Sequence, residues 1–199
     1  MKKFYILLNN FQNDAIQLSS NKSYSEIKPY IDQYSTKKLP NDVIFHVERG
    51  KKWTDLLYYY EAASIVFFSK RIIDILSKRL DMTYLCYPIV INDKNAPQYF
   101  VLYNKIAYKL VNHNYILDDY DEPPYFYIPE ETLKQPRLFT NVGGIWNIVE
   151  EEIVIEMKRS RVTNIRFRDV YSINSAEYKE FLRFHAQNKP YKPPSGRNI

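Results

Sequence analysis

The stretch Ile65-Val66-Phe67-Phe68-Ser69-Lys70-Arg71-Ile72-Ile73-Asp74-Ile75-Leu76-Ser77-Lys78-Arg79-Leu80 contains a change of period. Ile65 to Phe68 is a short run of β-branched and aromatic residues, the composition of a strand. From Ser69 onward the apolar residues Ile72, Ile73, Leu76 and Leu80 recur at three and four positions, while Lys70, Arg71, Asp74, Lys78 and Arg79 fall between them. That spacing predicts an amphipathic helix over Lys70 to Leu80, with Ser69 placed to cap its first turn. A strand therefore runs directly into a helix.

Downstream, Tyr84 to Ile91 and Gln98 to Tyr103 read as two strands separated by Asn92-Asp93-Lys94-Asn95, turn chemistry that predicts an antiparallel hairpin. Residues 104 to 117 are moderately apolar and carry one further expected strand. The acidic, proline-bearing stretch from Asp118 to Pro124 reads as an exposed loop. Leu138-Phe139 and Ile145 to Val149 are expected strands about a Gly143-Gly144 turn. Glu150 to Arg159 places acids first and bases last, the order a helix dipole favours. Ile165 to Val170 alternates as a half-exposed strand, and Asn174, with Glu177 three positions on, opens a final helix to about Ala186.

Upstream, Phe4 to Leu8 reads as a first strand, residues 9 to 23 as a polar loop, and Val43 to Val47 as a strand. Trp53 to Tyr60 reads as a helical turn. Tyr24 to Tyr34 has helical spacing that Pro29 interrupts. Strands in hairpins with irregularly interspersed helices predict an α+β fold with a mainly antiparallel sheet. The expected organisation is a single domain over residues 1–188 and a Pro-rich tail over residues 189–199.

With 45% hydrophobic residues in 199, the chain has enough apolar material to fold without disulfides or metal. Cys86 is the only cysteine, which excludes an intramolecular disulfide and fits a reducing, cytoplasmic setting. The apolar run after Met1-Lys2-Lys3 stops at Asn9 after five residues, too short for a signal-peptide core, and no uncharged stretch approaches a membrane span. The net charge of +5 favours solubility and names no partner.

Catalytic signatures are missing at the level of sequence. The one thiol lies in an apolar run, and His46, His113 and His185 are far apart. Four glycines provide neither a nucleophile elbow nor a phosphate cradle, because Gly143-Gly144 continues as Ile145-Trp146. No Cys or His pair has zinc spacing, and the acids at 118–122 lack the calcium-loop pattern. The reading is therefore not an enzyme, with no catalytic residue, cofactor or metal assigned; an enzyme with a site scattered over the fold stays open as a third class, which a deep pocket gathering His46, His113 or the acids at 118–122 would favour.

Two binding features stand out. Nineteen tyrosines include Tyr120, Tyr125 and Tyr127 beside Asp118, Asp119, Asp121 and Glu122, a grouping that suits an interface with a basic protein partner. Lys158, Arg159, Arg161, Arg166 and Arg168, with Phe167 among them, suggest a nucleic-acid face over residues 158–168 as the alternative.

The segments Trp53-Thr54-Asp55-Leu56, Ile65 to Leu76, Tyr87-Pro88-Ile89-Val90-Ile91 and Val162-Thr163-Asn164-Ile165-Arg166-Phe167 stand in an order that resembles a family of bacterial immunity proteins of polymorphic toxin systems. The resemblance spans about Leu39 to Val170. It implies stoichiometric inhibition of a cognate toxin encoded nearby, by occlusion and without catalysis, and the 118–127 group becomes the expected partner surface.

Overall fold

In the computed structural model, residues 3–10, 12–31, 37–80, 85–103, 107–108, 111–113, 125–128, 138–141, 147–172 and 174–187 are described. Their strands are β1 (Phe4–Asn9), β2 (Gln17–Ser20), β3 (Ile44–Arg49), β4 (Leu56–Tyr59), β5 (Ala62–Ser69), β6 (Leu85–Pro88) and β7 (Val90–Ile91). There follow β8 (Tyr99–Tyr103), β9 (Ala107–Tyr108), β10 (Val111–His113), β11 (Tyr125–Ile128), β12 (Leu138–Asn141), β13 (Asn147–Glu150) and β14 (Ile165–Ser172). The helices are α1 (Tyr24–Ile31), α2 (Lys70–Ser77), α3 (Glu151–Arg159) and α4 (Ala176–Ala186). The fold is α+β, as the sequence predicts.

The strands form two sheets, ordered β10-β11-β14-β1-β13-β12-β9 and β6-β8-β5-β4-β2-β3-β7. Most pairings are antiparallel, but β11 with β14, β12 with β9, β2 with β4 and β3 with β7 run parallel. Strand β1 lies between β13 and β14, and every residue from Phe4 to Asn9 is buried. Its sequence is a continuous apolar run, rather than an alternating one, because both faces of a central strand are covered.

Two cores follow from the period-two alternation of the second sheet. Leu56 and Phe68 point into one core, which also receives Tyr5, Leu7 and Val149 from the first sheet, Ile72 and Leu76 from α2, and Ile153 and Met157 from α3. Leu57 and Phe67 point the other way, into a core with Leu18, Phe45, Tyr59 and Tyr99 that Ile27 and Ile31 of α1 help to close. One strand pair thus supplies both cores.

Helix α2 starts where expected but ends at Ser77, before the expected Leu80: the Ser69 hydroxyl accepts from the backbone N–H of Ile72, and Ile72, Ile73, Ile75 and Leu76 are buried. Helix α3 begins with Glu151 and Glu152 and ends with Lys158 and Arg159, matching the expected dipole order. Arg79, in the turn after α2, ion-pairs with Glu152 at 3.0 Å and reaches Glu156 of α3. No helix among the described residues is long and apolar enough to cross a membrane.

Several expectations need correction. The expected helical turn over Trp53 to Tyr60 is strand β4, in which Leu56, Leu57 and Tyr59 are buried by neighbours on both faces. The polar excursion over 9–23 contains β2, whose pairing with β3 and β4 places Leu18 in the core. Pro29 does not prevent α1. It is exposed, and the Glu26 carboxylate reaches back to accept from the Ser23 N–H at 2.9 Å and hydroxyl at 2.6 Å, holding the start of the helix.

The expected strand from Tyr84 to Ile91 is divided. Strand β6 pairs antiparallel with β8, giving the predicted hairpin, whereas β7 pairs with β3. The single strand expected within 104–117 is the two short strands β9 and β10. Helix α4 starts at Ala176, and the Ser175 hydroxyl accepts from the Tyr178 N–H at 3.1 Å, one residue after the expected start at Asn174. The Gly143-Gly144 turn and residues 189–199 lie outside the described residues.

Candidate functional site

Three of the sequence segments quoted above meet at one carboxylate. Asp55 stands just before β4 with its side chain 7% exposed. Its Oδ1 accepts from the Ser69 hydroxyl at 2.7 Å and from Arg71 Nε at 3.0 Å. Its Oδ2 accepts from the Thr163 N–H at 2.7 Å, from the Thr163 hydroxyl at 2.9 Å and from Arg71 Nη2. The local chain order makes this possible: β5 ends at Ser69, so the residue that caps α2 and the arginine of its first turn stand beside Asp55.

Backbone contacts complete the joint. The Ser69 N–H donates to the Asp55 carbonyl at 2.8 Å, and the Asp55 N–H donates to the Thr163 hydroxyl at 3.1 Å. Arg71 also donates to the carbonyls of Ser160 at 3.0 Å and Arg161 at 3.1 Å, which stand at the C-terminal end of α3. A guanidinium there satisfies carbonyls that the helix leaves unpaired. Asn164 donates from Nδ2 to the Leu56 carbonyl at 2.8 Å, and its Oδ1 accepts from the Gln12 N–H at 3.2 Å. The α3–β14 connection of the first sheet is thereby fastened to β4, β5 and α2.

Burial pushes the Asp55 carboxyl up, but the hydrogen bonds from Arg71, Ser69 and Thr163 outweigh it and hold the group below its ordinary range. The same contact raises Arg71. With five donors on its two oxygens, the carboxylate has little capacity left to shuttle a proton or bind a ligand. Its chemistry is that of a fastener. Nearby, Tyr99 donates its hydroxyl to the Thr54 carbonyl, and its ring lies 5.8 Å from that of Trp53.

Arg161 and Asn164 both have positive φ, 52° and 60°. Asparagine tolerates this region and its amide is used here, whereas arginine adopts it against steric preference. Arg161→Gly is therefore expected to raise stability by up to about 1 kcal/mol, because it keeps the carbonyl that Arg71 uses. Asn164→Gly is expected to lower stability by losing the Leu56 contact. Urea denaturation of the two variants checks the opposite signs, and destabilisation by Arg161→Gly would show that its side chain contributes more than its backbone costs.

A second ionisable group lies along β1, α3 and β14. Tyr5 donates its hydroxyl to Glu151 at 3.3 Å, and burial, followed by the Glu151 charge, pushes its pKa up to about 12. Asp169 is opposite Tyr5 in the β1–β14 register. Burial raises its carboxyl first, opposed by Lys3 and Lys158 and reinforced by Glu151 and Glu177. A carboxyl raised in the folded state binds its proton more tightly there than when unfolded, so it reduces stability as pH rises through that folded value. Asp169→Asn is expected to stabilise at pH 7 by at most about 1 kcal/mol after solvent screening, with the gain vanishing near pH 3. Thermal melts at both pH values test the sign; loss of stability at pH 7 would mean that Lys3 and Lys158 dominate.

The basic segment does not form one patch. Arg166 and Arg168 share a face of β14, opposite Leu8 and Ile6 of β1, as the alternation predicts. Lys158 lies on the other side, 5.3 Å from the centroid of the Phe167 ring. The strand separates cations that are close in sequence.

Other candidate chemistry is sparse. Cys86 is partly buried on β6 and burial raises its thiol, which disfavours the nucleophilic thiolate. Among the described residues, no group of three His, Cys, Asp or Glu side chains is placed to hold a metal ion. Tyr5, Tyr59, Tyr87 and Tyr99 are core residues, which accounts for part of the tyrosine content, while Tyr60 is exposed. Asp118, Asp119, Tyr120, Asp121 and Glu122 lie outside the described residues. Tyr125 and Tyr127 are on β11, between β10 and β14.

In the sequence, Asp55, Arg71 and Thr163 stand only as parts of the ordered segments, with no role assigned to them. The signal was an aspartate directly before the apolar run of β4, matched by a hydroxyl residue at 69 and another at 163. No protein-family model matches the chain, and no curated protein is a significant match to it.

Proposed function

We propose that this chain is a cytoplasmic immunity-type binding protein that neutralises a cognate bacterial toxin by stoichiometric protein–protein contact. The reading rests on the order of the segments Trp53 to Leu56, Ile65 to Leu76, Tyr87 to Ile91 and Val162 to Phe167, together with the lack of a catalytic motif in the sequence; three of those segments meet at Asp55. Because the resulting joint is saturated with internal hydrogen bonds, the shared pattern describes a scaffold, and recognition falls to surfaces outside it.

The lone thiol of Cys86 accords with the cytoplasmic assignment. The acidic and aromatic group of Asp118, Asp119, Tyr120, Asp121, Glu122, Tyr125 and Tyr127 is the first partner surface to test, with a basic toxin face as its complement. The nucleic-acid alternative is weakened by the division of its cations between two faces of β14.

Co-expression with the product of the adjacent gene is the direct experiment. The expected result is rescue of growth and recovery of a stoichiometric complex. Replacing the four loop acids with their amides is expected to weaken that complex by more than about tenfold, as for a desolvated charged contact. Unchanged affinity would remove the loop from the interface. Failure of rescue, with salt-sensitive retention on DNA or RNA instead, would overturn the immunity reading.

A further inference from the structure

We draw no further inference here: the strongest candidate, the exposed apolar pair Ile44 and Val90 on neighbouring strands at the β7 edge of the second sheet, carries nothing because nothing in the structure shows what covers it.

Discussion

Asp55→Ala is expected to lower the unfolding free energy by about 3–5 kcal/mol, read as a reduced urea midpoint at an unchanged denaturant slope. The variant removes a buried acceptor of five hydrogen bonds and leaves Arg71, Ser69 and Thr163 facing a site without one. Arg71→Ala should cost less, about 1–2 kcal/mol, because its side chain is 46% exposed and the Asp55 carboxylate that it leaves without a counter-charge keeps three hydrogen bonds from Ser69 and Thr163. The double variant is expected to be less destabilised than the sum of the two singles by about 1 kcal/mol or more. Strict additivity would mean that Arg71 acts through the Ser160 and Arg161 carbonyls alone.

The same joint predicts an acid dependence. A carboxyl held below its ordinary pKa in the folded state is protonated first in the unfolded chain. Its contribution is therefore complete above the unfolded value near 3.8 and is lost as pH falls through the lower folded value. The stability difference between the parent chain and Asp55→Asn should be constant from pH 7 to about pH 5 and shrink toward pH 3. A difference that stays constant to pH 3 would show that the geometry of the site, and not its charge, stabilises the fold. In the rescue assay, Asp55 variants should lose activity only as far as they lose folded protein, which separates a scaffold residue from a contact residue.

Gly50→Ala is expected to cost about 2–5 kcal/mol. Gly50 has φ of +86°, a conformation that disfavours any side chain by about 1–2 kcal/mol. A Cβ there would come within 2.3 Å of the Ala15 carbonyl oxygen and 2.9 Å of the Ile16 Cα, which adds an overpacking cost of about 1–3 kcal/mol. These neighbours are backbone and fixed by pairing: Lys51 and Lys52 donate to the Asp14 carbonyl, and Ile16 donates to the Lys52 carbonyl at 3.0 Å. Equilibrium denaturation measures the loss. A variant with parental stability would mean that the 14–16 segment moves aside without breaking its pairing with Lys51 and Lys52.

Much of the fold was legible where one local signal and burial agreed. The capped helix α2, the dipole-ordered helix α3, the alternating strand β14 and the β6–β8 hairpin carry their own periodicity or turn chemistry. Strand β2 was not legible, because Gln17, Ser19 and Ser20 give no alternation strong enough to mark a strand. Strand β4 was misread because Leu56, Leu57 and Tyr59 also suit a buried helical turn. For Pro29, the steric objection to a helix was outweighed by the Ser23–Glu26 cap and by the burial of Ile27 and Ile31. The candidate site was visible only as scattered polar residues: nothing local to Asp55 specifies that its partners stand at positions 69, 71 and 163.

The sequence by itself determined the α+β class, the helices with clear caps and stripes, and the existence of the apolar first strand. These depend on propensity and period, which act over a few residues. Tertiary structure decided the strand order, the parallel pairings, the separation of Lys158 from Arg166 and Arg168, and the meeting of three distant segments at Asp55. Those depend on burial and hydrogen-bond saturation, which are satisfied jointly by residues as far apart as Gln12 and Asn164, 152 positions, and so have no local trace in the chain.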